Sequence, residues 1–213
     1  MIRAKKTFII AEAGVNHNGS MKLAHELIDA AISAGADAVK FQSFIASAIV
    51  TADANKADYQ IINTGSSESQ LKMLQDLELS HQQQRELYEY CQSHGIQFLS
   101  TPFDSVSLKF LTADLRLTTI KVGSGELTNA PFLLEVAHSA ENIILSTGMS
   151  TIDEVTEAVG VIAFAMTSST SARPSKTSMS AAFESPEGKR AISERVTLLH
   201  CTTDYPTKPE DVN

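Results

Sequence analysis

Thr119-Ile120-Lys121-Val122-Gly123-Ser124-Gly125-Glu126 is a short apolar run that closes on a lysine, a glycine-flanked serine and a carboxylate. A strand buried on both faces reads as a continuous apolar run, and a polar ending places side chains at the carboxyl rim of a parallel sheet. The same pattern occurs five more times. Phe8–Ala13, broken only by Glu12, runs into Gly14-Val15-Asn16-His17-Asn18-Gly19-Ser20, and Ala38-Val39-Lys40-Phe41-Gln42 is the second unit. Gln97–Ser100 enters Thr101-Pro102-Phe103-Asp104, and Asn142–Ser146 enters Thr147-Gly148-Met149-Ser150. Val196–Cys201 enters Thr202-Thr203-Asp204-Tyr205-Pro206.

Helical periodicity follows the first five of these runs. Ser20 is placed to cap a helix with Leu23, Leu27, Ile28 and Ala31 on one side, and Ser80 caps one carrying Leu87, Tyr88 and Cys91. A third carries Val106, Leu108, Phe110 and Leu111. Asn129 with Pro131, and Ser150 or Thr151 with Glu154, mark two further helix starts. Residues 43–80 read as a partly helical loop over a site. Residues 167–188, rich in Ser, Thr, Ala and Pro, read as a mobile surface insertion with a weak helical piece at most.

Six strand–helix units, the last without its helix, fit a parallel α/β protein. A doubly wound sheet would carry a GxGxxG loop after strand one, and Gly14–Gly19 does not match it. Candidate functional residues at the end of every strand are instead the pattern of a TIM (β/α)8 barrel. Such barrels typically need about 250 residues. The 213 residues are therefore expected to form the N-terminal part of a barrel catalytic domain, with strands seven and eight missing.

Composition narrows the functional classes. A net charge of −8 with mixed signs gives no basic surface for nucleic acid. No apolar stretch approaches 20 residues and no secretory leader is legible, so a cytoplasmic location off the membrane is expected. Cys91 and Cys201 are the only two cysteines, and two lone thiols suit a reducing compartment.

Glu12, Lys40, Gln42, Thr101, Lys121, Ser124 and Glu126 fall at or just past strand ends. A charged side chain in a doubly covered strand must be paired or liganded. Lys40 and Lys121 therefore either pair with Glu12 and Glu126, or, with serine and glycine-turn N–H groups, hold a phosphate and a carboxylate. His17 admits three roles: ligand, substrate contact, or ordering of its loop. His200, one residue before its strand's end, suits the core. Gly148 reads as a turn former, and Thr202, Thr203 and Tyr205 offer hydroxyls. No HxH, HExxH or paired-carboxylate metal pattern is present.

Phe8–Gly19, Val39-Lys40-Phe41-Gln42, Ser100-Thr101-Pro102-Phe103, Lys121–Glu126, Leu145–Met149 and Leu199-His200-Cys201-Thr202 resemble, in order, the signatures of the sialic acid synthase family. That family includes N-acetylneuraminate, legionaminate and pseudaminate synthases. The resemblance implies a metal-dependent transferase that forms a carbon–carbon bond. It would condense phosphoenolpyruvate, an N-acetylated hexosamine such as N-acetylmannosamine, and water into a nonulosonic acid and phosphate. The implied alternatives are a legionaminate or pseudaminate synthase using a diacetamido-trideoxyhexose, and a non-catalytic barrel fragment. Thr203-Asp204, where neuraminate synthases usually read Asn-Ile, and the 167–188 segment lean toward the legionaminate type.

By the same resemblance Lys40, Lys121, Thr101 and Ser124 bind phosphoenolpyruvate with Gln42 nearby, Glu12 and Tyr205 contact the sugar, and Asn63 and Thr203 are substrate-side candidates. Glu126, Lys121 and Glu12 form the catalytic set, with Glu126 moving a proton. Mn²⁺ or Mg²⁺ is implied, polarising the sugar aldehyde, with its histidine ligands on strands beyond Asn213. A homodimer, in which a C-terminal antifreeze-like domain absent from this chain reaches the partner's site, is also implied. A different chemistry on the same barrel, a sugar-phosphate aldolase using Lys40 or Lys121 as a Schiff-base amine, remains open from the residues alone.

Overall fold

The structure, a computed structural model, describes residues 6–52, 54, 69–202 and 207–212. The chain divides into two compact units, residues 1–110 and 111–213. The first unit contains β1 (Ile10–Gly14), α1 (Met21–Ser33), β2 (Ala38–Ser43), α2 (Ala46–Ile49), α3 (Gln70–Leu77), α4 (His81–Ser93), β3 (Gln97–Pro102) and α5 (Ser105–Lys109). The second contains β4 (Thr119–Val122), a 3-10 turn (Ser124–Glu126), α6 (Ala130–Ser139), β5 (Asn142–Ser146), α7 (Ile152–Thr167), α8 (Lys176–Glu184), α9 (Pro186–Arg195) and β6 (Val196–Leu199). A π-helical turn, Phe110–Asp114, joins the two stretches of chain.

Both units are α/β with wholly parallel sheets, in the orders β1-β2-β3 and β4-β5-β6. Parallel neighbours need a crossover, which is why helices intervene between them. The capping chemistry sets the helix starts. Ser20 accepts from the Leu23 N–H, Ser80 and Gln83 form a capping box, and Asn129 accepts from the Phe132 N–H. Thr151, not Ser150, forms the capping box with Glu154.

Register sorts side chains onto two faces of each sheet, because direction alternates along a strand. In the first sheet Glu12 aligns with Lys40, Lys40 with Leu99, and Gln42 with Thr101, which places all of them on one face. Phe41, Ser43, Phe98 and Ser100 take the other face. Phe41 stacks on Phe98 with centroids 5.6 Å apart, and Tyr88 of α4 meets Phe98 edge-on. Ser43 and Ser100 are buried there 2.6 Å apart, and the Ser43 hydroxyl also bonds the Gln84 carbonyl oxygen. Gln84 in turn donates to the Leu79 carbonyl at 2.9 Å. These buried polar groups are thus partnered among themselves.

Four expectations change. Phe8 and Ile9 precede β1 and are half exposed, since the Asp37 carboxylate and backbone hold Ile9 before sheet pairing starts. Val106 faces solvent, and the buried stripe runs through Leu108, Phe110, Leu111 and Leu115 instead. His200 lies beyond the end of β6 and is exposed. The last pairing bond of β6 is made by the Leu199 carbonyl, which accepts from both the N–H and the hydroxyl of Thr147.

The fourth change concerns 167–188, which holds α8 and the start of α9 rather than an irregular insertion. Ser175 and Ser178 form a capping box for α8, and Ser185 caps α9 with Pro186 in its first turn. Met179 and Phe183 of α8 lie against Gly160 of α7, and Lys176 reaches Glu157 at 3.7 Å. Arg195 anchors the far end by donating to the Ala140 and Glu141 carbonyls.

Candidate active site

On the first sheet, Lys40 is 8% exposed and its ammonium lies 2.5 Å from the Glu12 carboxylate, whose side chain is 41% exposed. The pairing reading therefore holds for Lys40 in this state. Burial of the ammonium is tolerated because its partner stays half solvated. Thr101 is buried and Gln42 half-buried on the same face. A Cβ built on Gly14 would meet Glu12 Oε1 at 3.2 Å and Gln42 Nε2 at 3.7 Å, so both side chains end over that glycine. The β1 register slips between Glu12 and Gly14, a bulge that turns the chain into the following loop.

Within that loop His17 is buried, and its Nδ1 accepts the Gly19 N–H at 3.0 Å. Its own carbonyl accepts the Ser20 N–H. The acceptor role leaves the ring proton on Nε2. Burial pushes its pKa below the ordinary histidine value. Of the three roles the residues allowed, ordering the loop is the one these contacts perform.

On the second sheet, Lys121 is 7% exposed and donates to the Val122 carbonyl at 2.8 Å. Register with Ile144 places it on the same face as Ser146. Just past the strands, three ends meet. The Gly148 N–H lies 3.0 Å from Ser124 Oγ and 3.1 Å from Cys201 Sγ, and these two atoms are 3.4 Å apart. Gly148 is more than a turn former here, because a Cβ would sit 3.0 Å from Ser124 Oγ and 3.2 Å from the sulfur. Glu126, on the 3-10 turn, accepts from Asn129 Nδ2 at 2.8 Å and so sits against the cap of α6.

Asn63, Thr203 and Tyr205 lie outside the described residues. Two participants escaped the sequence reading. Ser146 was legible by parity alone, two residues after Ile144. Cys201 stood in a family-like motif, but its contact with Ser124 was not legible, because only the sheet order brings the two together. Among the described residues no group of three or more His, Cys, Asp or Glu side chains is placed to hold a metal ion, so no metal is assigned to any of them. A hollow of about 570 Å³ lies elsewhere, between α6, α7 and α8, lined by Leu134, Val161, Met179 and Phe183 among others. None of the candidate residues borders it.

The two thiols differ sharply. Burial raises the pKa of Cys201, but hydrogen bonds from Ser124, Ser146 and the Thr147 and Gly148 N–H groups outweigh it and leave the thiol below its ordinary value. Cys91 has only burial, which pushes it up to about 12. Since the thiolate is the nucleophile, iodoacetamide at neutral pH should label Cys201 well before Cys91. Peptide mass spectrometry checks the order, and equal labelling would contradict these environments.

The model of the NeuB family matches residues 27–213 of this chain. The chain belongs to the NeuB family. It is 43% identical over 209 residues to an N,N'-diacetyllegionaminic acid synthase of Campylobacter jejuni, covering 98% of this chain and 55% of that protein. It is 41% identical to the enzyme of the same name from Legionella pneumophila, covering 97% of this chain and 51% of that one. The chain thus spans about half the length of these curated relatives. The crystal structure of an N-acetylneuraminic acid synthetase from Leptospira borgpetersenii superposes with a TM-score of 0.70 at 27% identity, covering 98% of this chain and 59% of that one. The likeness to this solved structure agrees with the α/β architecture of parallel sheets described above. No helix among the described residues is long and apolar enough to cross a membrane.

Proposed function

We propose that this NeuB-family chain belongs to a synthase that condenses phosphoenolpyruvate with a diacetamido-trideoxyhexose, giving a legionaminate-type nonulosonic acid and phosphate. The observation that carries it is that each sheet presents, at its carboxyl end, one buried lysine with hydroxyl donors in the strand or adjoining loop, within a chain 43% identical to a diacetyllegionaminate synthase. Two such relatives above 40% favour this sugar over N-acetylmannosamine. The scaffold we propose is a (β/α)8 barrel that includes these six strands, in a homodimeric cytoplasmic protein.

In this reading Lys40 and Lys121 offset the charge of phosphate and carboxylate, while Thr101 and Ser124 donate to their oxygens. Glu12 releases Lys40 to the anion and turns to the sugar, with Gln42 beside it. C3 of phosphoenolpyruvate attacks the aldehyde carbon of the open-chain sugar, forming the new carbon–carbon bond. Water adds at the cationic C2, and the tetrahedral intermediate loses phosphate by carbon–oxygen cleavage, leaving the ketone. Glu126 is the group we place to move a proton at water addition or phosphate loss. An unchanged turnover in Glu126→Gln would remove it from that role. Mn²⁺ or Mg²⁺, which the family resemblance implies, supplies Lewis acidity toward the aldehyde when bound.

Phosphate release from phosphoenolpyruvate, measured with divalent cation in protein carrying this chain, tests the reading. Release should depend strictly on added sugar. kcat/KM should favour the diacetamido-trideoxyhexose over N-acetylmannosamine by roughly tenfold or more, since a site built for a polar substituent rejects a sugar lacking it. Sugar-independent release, or a preference for N-acetylmannosamine, would sink it.

A further inference from the structure

We infer that Cys201 is a positioning residue for the anion site, its sulfur and the Gly148 N–H together fixing the Ser124 hydroxyl that meets the substrate oxygen. The inference rests on the proposed binding of phosphoenolpyruvate at Ser124.

The geometry is a clasp across three consecutive strand ends. Ser124 follows β4, Gly148 follows β5 and Cys201 follows β6. One N–H, that of Gly148, is shared between Ser124 Oγ at 3.0 Å and Cys201 Sγ at 3.1 Å. The two side-chain atoms touch at 3.4 Å. A hydroxyl has one proton and two lone pairs. In Ser124 one lone pair is engaged by the Gly148 N–H, so the proton has two destinations, the sulfur or a bound anion.

A cysteine can serve either way in that contact, accepting as the sulfur or donating as S–H. With no ligand, Ser124 donates to the sulfur. With an anion present, Ser124 turns its proton outward and the thiol donates inward to the serine oxygen. The contact survives both states, so the serine oxygen stays in place while its proton is redirected. The lowered pKa of Cys201, with Ser146 and the Thr147 N–H as additional donors, agrees with a sulfur that mainly accepts in the free protein.

A double-mutant cycle on the full chain tests this, with phosphoenolpyruvate affinity read by calorimetry and folding checked by circular dichroism. Cys201→Ala should weaken binding about 5- to 10-fold, the size of one lost hydrogen bond of moderate strength. Cys201→Ser, which can still donate and accept, should recover to within about threefold of wild type. In a Ser124→Ala background, Cys201→Ala should change affinity by less than about twofold, because its effect passes through that serine. A merely structural cysteine would weaken binding equally in both backgrounds, and that result, or an unchanged affinity in Cys201→Ala, overturns the inference while leaving the proposed function standing. If Cys201→Ala does not fold, the cycle runs on Cys201→Ser, whose smaller loss should likewise vanish without Ser124. A wild-type chain with no affinity for phosphoenolpyruvate overturns both.

Discussion

Lys40→Met should weaken phosphoenolpyruvate binding by roughly 30- to 1000-fold while leaving the fold intact. Lys40 is almost fully buried and its ammonium meets the Glu12 carboxylate. Removing one member of a desolvated charge contact costs about 2–4 kcal/mol, and each 1.4 kcal/mol is tenfold. Methionine keeps the length and apolar stem, so the packing beside Leu99, its register neighbour, survives. The orphaned carboxylate of Glu12 stays half solvated, which avoids the heavy penalty of a buried unpaired charge. Calorimetry against phosphoenolpyruvate, alongside thermal melting, separates the two effects. Loss of affinity accompanied by an equal collapse in stability would assign Lys40 to structure alone.

Gly19→Ala should lower stability by roughly 2–5 kcal/mol. Gly19 holds φ at +74°, where a Cβ costs about 1–2 kcal/mol against its own backbone. It also packs so tightly that a Cβ would lie 2.3 Å from the Asp76 carbonyl oxygen, at the end of α3. Overpacking against a backbone atom typically adds about 1–3 kcal/mol, since no side chain can rotate away. For a chain of this size the melting temperature should fall by roughly 5–15 °C. The His17 contact to the Gly19 N–H would be lost with the loop's conformation. A melting temperature within a degree or two of wild type would contradict this packing.

The strand positions and helix caps were readable because they depend on local chemistry. An apolar run ending on Lys40 and Gln42, or a Ser80 three residues before Gln83, needs no knowledge of the rest of the chain. The likeness of six such motifs to the sialic acid synthases was legible for the same reason. Residues 167–188 were misread because helix formation there depends on neighbours. Ser175, Ser178 and Ser185 are ambiguous between turns and caps, and Met179 and Phe183 are half-buried only because α8 lies against Gly160 of α7. The contact of Cys201 with Ser124 was illegible for a related reason. Its importance comes from β5 and β6 pairing in register, Ser146 with Leu199, which delivers the sulfur to Ser124 across 77 residues. Lys40 shows a further limit, since the sequence offered both Glu12 and a bound anion as its partner and did not choose between them. The substrate-side candidates Asn63, Thr203 and Tyr205 fall outside the described residues.

Phosphoenolpyruvate titrated calorimetrically into the wild-type chain and into Lys40→Met/Lys121→Met is the most direct measurement of the central claim. The account predicts saturable one-to-one binding by wild type, with a Kd between about 1 μM and 1 mM, the usual range for enzyme substrates, and none detectable in the double variant. No saturation by wild type at about 10 mM, ten times that upper bound, or equal binding by the folded double variant, would contradict it.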